Sequence, residues 1–122
     1  MGEPGQLRVG AICHVEIPAP DLEKAKRFYG EVFGWKLTPS GDRYVVFDDG
    51  AVGGGLDQDG RVRPGGGTVL VLAVADIPAK LVEIEKAGGK TAGPKTEIGG
   101  GMGFYAYFDD PNGNRLGIWS RT

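Results

Sequence analysis

The sequence predicts an α+β fold made of two successive β-α-β-β-β modules, and three observations predict it. Short runs with apolar residues at a period of two recur along the chain and mark strands. Two stretches with apolar residues at helical spacing are each opened by an aspartate, Asp21 and Asp76. The two caps lie 76 - 21 = 55 residues apart, and the same offset lays Leu22 on Ile77, Tyr29 on Ile84 and Gly34 on Gly89. An internal duplication is the economical reading.

The elements follow in order. In VGAICHVEI, alternation puts Val9, Ala11, Cys13, Val15 and Ile17 on one strand face and Ile12, His14 and Glu16 on the other. PAP breaks the strand, Asp21 caps a helix, and Leu22, Ala25, Phe28, Tyr29, Val32 and Phe33 form its apolar stripe before Gly34 stops it. Three β segments come next, WKLT, YVVFDD and AVGGGL, separated by the turn-formers PSGD and DG. After the loop DQDGRVRPGGG the order repeats. TVLVLAV reads as a strand that is apolar on both faces. Asp76 caps a helix that tolerates Pro78 in its first turn and buries Ile77, Leu81 and Ile84, and AGG ends it. KTAG, FYAYFDD and RLGIWS complete the second module, with DPNGN as the hairpin turn.

Size and charge bound what the chain does. Its 122 residues suit one domain, 1–122, with module one at about 9–57 and module two at about 67–120. A formal charge of -2 gives no cationic field for nucleic acid or an anionic membrane. One cysteine allows no internal disulfide, and neither a signal peptide nor a membrane span is legible, so the expected location is the cytoplasm. The 23 glycines cluster in GAVGGGL, RPGGG and IGGGMG, where they read as loops and strand ends. None of these runs has the strand-to-helix context of a phosphate loop.

Two stretches, HVEIPAPDLEKAKRFYGEVFGW and YFDDPNGNRLGIW, carry a resemblance. From about Val9 to Trp119 the chain resembles the vicinal oxygen chelate superfamily, which includes glyoxalase I, bleomycin-resistance proteins and extradiol dioxygenases. The resemblance implies paired βαβββ modules whose curved mixed sheets form a cup, with the helices outside. The cup would hold a small ligand and, in the enzymes, a divalent metal. A homodimer is implied too, because members often pair modules across chains and open sheets leave edges to cover. In the metalloenzymes one ligand is a first-strand histidine, and His14 matches it, seven residues before Asp21. The last-strand glutamate, seven residues after the Asp of Asp-Pro-x-Gly, falls on Gly117. The second module's first-strand ligand falls at about Val69, and the remaining position at Gly54 or Gly55. With donors missing at three of four positions, we expect no metal at the family site and no cofactor.

The candidate ligand-binding residues are therefore His14, Glu16, Tyr105, Tyr107, Arg115 and Trp119. Glu16 shares the face of His14, and a carboxylate beside an imidazole can fix its tautomer. A core imidazole satisfied by a backbone carbonyl is the competing account. Strand parity puts Arg115 and Trp119 inward with Gly117, while Leu116 and Ile118 pack behind. Tyr105 and Tyr107 are placed inward because a phenol can stack and still hydrogen-bond a ligand; filling a barrel interior or a dimer interface is the alternative. Cys13 is expected as inert core, and the two FDD stretches as turn chemistry.

Three functions compete. The first is a metal-independent binding protein of the bleomycin-resistance type, which holds a flat or aromatic small molecule between aromatic walls. The second is a glyoxalase-like or dioxygenase-like metalloenzyme, a lyase or oxidoreductase, with substituted ligands. The third is a purely structural or protein-binding module.

Overall fold

The computed structural model describes residues 9, 12–65 and 67–122. The chain divides between Val62 and Arg63 into two compact units. The first contains β1 (His14–Pro18), α1 (Leu22–Phe33), β2 (Lys36–Pro39), β3 (Tyr44–Asp48) and β4 (Gly53–Asp57). Its sheet runs β1-β4-β3-β2, with β1 parallel to β4 and the other pairs antiparallel. The order is β-α-β-β-β, as the alternation and the Asp21 cap predict.

Local chemistry fixes the ends of α1. The Asp21 carboxylate accepts from the Lys24 amide at 3.1 Å, and Gly34 takes the left-handed conformation, φ 68°, that ends the helix. The buried stripe Ala25, Phe28, Tyr29 and Val32 packs on one face of the sheet. Trp35, directly after the helix, is stacked between Tyr29 (4.5 Å between ring centroids) and Phe47 of β3 (4.3 Å). Each such aromatic pair is worth about 0.5–1.5 kcal/mol beyond area burial, so this stack helps tie helix to sheet. Gly54 belongs to the same face for a steric reason. A Cβ there would run into the Val15 carbonyl and stand 2.6 Å from the Phe47 ring.

The second unit contains β5 (Val71–Ala73), α2 (Ile77–Lys86), β6 (Lys90–Thr91), β7 (Thr96–Glu97), β8 (Phe104–Asp109) and β9 (Arg115–Ser120). Its sheet runs β5-β9-β8-β6, with β7 also paired to β8 and β5 parallel to β9. Ile77 and Ile84 of α2 are fully buried, as are Ala106, Phe108 and Ile118 of the sheet. The β8–β9 turn is organised by Asp110, which is 4% exposed. Its Oδ1 accepts from the amides of Asn112 and Asn114, and its Oδ2 from the Asn114 side chain, all at 2.9 Å. Neither sheet closes on itself, and the chain is two βαβββ modules of α+β class.

Four details differ from the sequence expectations. The first strand starts at His14; Ala11 lies outside the described residues, and Cys13 is exposed rather than core because it precedes the pairing with β4. TVLVLAV contributes a strand of only three residues, Val71–Ala73, since β9 is its one neighbour and pairs with those three. Leu81 is half-buried, flanking the Ile77–Ile84 stripe. KTAG is interrupted after Thr91: Gly93 has φ +135° and Pro94 lacks an N–H, so pairing with β8 resumes as a separate strand at Thr96. Among the described residues no helix is long and apolar enough to cross a membrane.

Candidate functional site

Each sheet has a second face, away from its helix, and the candidate residues lie there. In the first unit the register sets His14 beside Gly53 and Glu16 beside Gly55, while Val46 pairs Gly55 and Tyr44 pairs Asp57 from the other side. These residues share one face, since cross-strand partners project together. β4 separates β1 from β3, yet on this face it presents bare glycines. The Tyr44 ring therefore lies diagonally across Gly55 and reaches β1. Its hydroxyl donates to Glu16 Oε2 at 2.7 Å and meets His14 Nε2 at 2.9 Å, while Glu16 Oε2 and His14 Nε2 are 3.6 Å apart. Burial, and then the Glu16 carboxylate that accepts its proton, push the Tyr44 hydroxyl up to about 12.

In the second unit the pairs Tyr105–Trp119, Tyr107–Gly117 and Asp109–Arg115 put Tyr105, Tyr107, Arg115 and Trp119 on one face with Val71 and Ala73 of β5. Tyr105 and Tyr107 meet edge to face at 5.3 Å. Trp119 donates from Nε1 to the Met102 carbonyl at 2.9 Å and covers Gly103, whose φ of +91° only glycine adopts readily. Arg115 is tied to Asp109 of β8, Nε to Oδ1 at 2.6 Å, and this carboxylate raises the guanidinium's already high pKa. Tyr107 and Val71 are 39% and 56% exposed, so the face presents aromatic and apolar surface. Leu116, Ile118, Ala106 and Phe108 point the other way, into the core under α2.

The six candidates thus form two groups, His14 with Glu16 in one unit and Tyr105, Tyr107, Arg115 and Trp119 in the other. Residues 11–118 match the Glyoxalase/Bleomycin resistance protein/Dioxygenase superfamily. The chain belongs to that superfamily. A glyoxylase-like domain-containing protein of Didymella fabae is 29% identical over 128 residues, which cover 92% of this chain and 94% of that one. Among solved structures, the fosfomycin resistance protein FosX of Listeria monocytogenes superposes with a TM-score of 0.79 at 14% identity, covering 94% of this chain and 96% of its own. A superfamily enzyme of Burkholderia phytofirmans PsJN gives 0.77 at 19% identity, covering 92% and 100%. At these identities the structural likeness shows the shared fold.

The superfamily metal does not fit the residues present at its positions. Gly117 carries no donor, and a Cβ there would meet Val71 at 3.3 Å and Tyr107 at 3.4 Å, so the space is taken by apolar and aromatic groups. Val69 has no donor either. At Gly55 the space is filled by the Tyr44 phenol. Among the described residues no group of three His, Cys, Asp or Glu side chains is arranged to hold a metal. Tyr44 is the residue that sequence reasoning missed. The signal available was the GGG run itself, because a glycine in a strand leaves room for an aromatic residue from the neighbouring strand to lie across it.

Proposed function

We propose that this chain is a small-molecule-binding protein of the glyoxalase/bleomycin resistance/dioxygenase superfamily that works without the family metal and takes a flat, aromatic ligand. The observation that supports this is the clustering of Tyr105, Tyr107 and Trp119 on one sheet face around the side-chain-free Gly117. Aromatic walls of this kind hold planar molecules by stacking and edge contacts, with the hydroxyls and the Arg115 guanidinium supplying orientation. The exposed free thiol of Cys13 suits the reducing cytoplasm. A homodimer fits the exposed Val71 and Tyr107 and the open sheet edges, and sedimentation at tens of micromolar tests it.

Fluorescence tests the ligand. In a Trp35→Phe background Trp119 is the only indole, and 4-nitroanisole, a flat aromatic quencher, should reduce its selectively excited emission saturably. Unsaturable quenching equal to that of free tryptophan overturns the proposal.

The second reading, a metalloenzyme of glyoxalase-like or dioxygenase-like type with substituted ligands, is favoured by one observation: His14 Nε2 and Glu16 Oε2 lie 3.6 Å apart on one face. Metal analysis of protein purified without chelator separates the two. Near one equivalent of metal, lost in His14→Ala, supports the metalloenzyme.

A further inference from the structure

The hydrogen bonds around Tyr44 have only one consistent direction. A carboxylate accepts hydrogen bonds and donates none. The single hydroxyl hydrogen of Tyr44 is therefore committed to Glu16, at 2.7 Å. The phenol oxygen then offers only a lone pair to His14, so the hydrogen in the 2.9 Å contact must sit on Nε2. In a neutral imidazole with the hydrogen on Nε2, Nδ1 is an acceptor. The chain Nε2–H to Tyr44 to Glu16 thus fixes which ring nitrogen accepts. It rests on residues of the first unit alone.

We infer that His14 Nδ1 is a preset hydrogen-bond acceptor for a ligand, and that this face recognises a hydroxyl or amine group and rejects anions. The His14 side chain is 35% exposed and Glu16 56% exposed, so a small molecule reaches them. The surrounding charge sets the class. Glu16, Asp48 and Asp57 all project from this face, Glu16 and Asp57 both acting on the Tyr44 hydroxyl, while Lys36, its one strand cation, stands on outer strand β2. Glu16 beside the ring, with two further carboxylates on the same sheet face, disfavours a carboxylate or phosphate and tolerates an uncharged or cationic donor. Tyr44 and Glu16 are positioning residues: they act through the ring, and Gly55 lets Tyr44 reach it. Histidine at this place keeps the imidazole of the family's metal position but turns it to direct hydrogen bonding.

The single histidine makes the test direct, because the nitrogen spectrum of histidine-labelled protein reports one ring. The full chain at a pH where the imidazole is neutral should show the Nε2–H tautomer. Benzyl alcohol and benzylamine should shift the Nδ1 resonance saturably, and benzyl methyl ether and benzoate should not. Tyr44→Phe keeps the ring over Gly55 but removes the bridge, and should give a tautomer mixture. Glu16→Gln should do likewise, since an amide can donate as well as accept and lets the chain reverse. An Nδ1–H tautomer in the unmodified chain overturns the inference, as does an ether or benzoate that shifts Nδ1 as far as the alcohol. So does Mn²⁺ or Zn²⁺ bound at one equivalent with loss of the Nε2–H signal. The readout is independent of Trp119 emission, so failure here and failure of the aromatic binding site are distinguishable.

Discussion

Tyr44 occupies the space that a side chain at Gly55 would need: a Cβ there would collide with the phenol hydroxyl and with Cζ and Cε1 of its ring. A strand that separates two others usually insulates their side chains. Here its glycine lets β3 reach β1, and the His14–Tyr44–Glu16 chain exists only because residue 55 is bare on this face.

Gly55→Ala should therefore expel the Tyr44 ring. Forcing a methyl group into filled space costs about 1–3 kcal/mol, and the loss should appear as a lower denaturant midpoint. The same variant should lose the fixed histidine tautomer. A variant of unchanged stability that keeps the tautomer would show that the ring does not rest on Gly55.

The Tyr44 hydroxyl should titrate late, near 12 rather than at its ordinary 10.0. An ultraviolet titration of the tyrosines should show a late step that is absent in Tyr44→Phe and moved downward in Glu16→Gln. Burial is the larger cause, so the glutamine variant should recover only part of the shift. The sign for stability follows from linkage. The folded state holds this proton more tightly than the unfolded chain, so the contribution is complete below pH 10 and is lost as pH rises towards 12. Alkaline unfolding should begin later on the pH scale in Tyr44→Phe than in the parent chain, measured relative to each protein's stability at pH 8.

Trp119→Ala and Leu116→Ala sit on opposite faces of β9 and should differ in kind. Leu116 is 2% exposed, and its truncation should cost about 2–5 kcal/mol of stability. Trp119→Ala should weaken an aromatic ligand such as 4-nitroanisole by about 2- to 10-fold, measured by calorimetry because the reporter is gone. If Leu116→Ala abolishes binding in folded protein while Trp119→Ala leaves affinity intact, the aromatic face is not the binding face.

Asp110→Ala should destabilise the second unit by about 1–3 kcal/mol, because the amides of Asn112 and Asn114 and the Asn114 side chain lose a buried acceptor. Asp110→Asn should cost less but not nothing, since its new NH₂ faces the donor on Asn114. Thermal melts of the two variants check the order.

Much of this protein follows from local chemistry and is legible in the chain. Asp21 and Asp76 cap helices because a carboxylate three residues before an amide satisfies it whatever the rest of the fold does. Gly34 ends α1 because of its own φ, and DPNGN turns because Asp110 folds back on its own neighbours. The period of two likewise assigns Leu116 and Ile118 to one face and Trp119 and Arg115 to the other. Strand length was less legible: Cys13 fits the alternation of its strand and TVLVLAV is apolar throughout, yet ladder pairing begins only at His14 and covers only Val71–Ala73, and pairing is a property of two segments.

What only the tertiary structure decided is which side chains meet across the sheet. Glu16 beside His14 is visible in the sequence at a separation of two residues. Tyr44 joining them is not, since it lies 28 residues from Glu16 and reaches across an intervening strand. The sequence reads AVGGGL as a strand, and β4 bears this out, but it does not say what its bare glycines make room for. In the fold its two faces do different things, Gly54 admitting Phe47 to the core and Gly55 admitting Tyr44 to the polar face. The reason is geometric: a sequence specifies which face each residue takes, whereas the order of strands within the sheet sets the distance between faces' occupants, and that order is fixed only when long-range pairing and packing are complete.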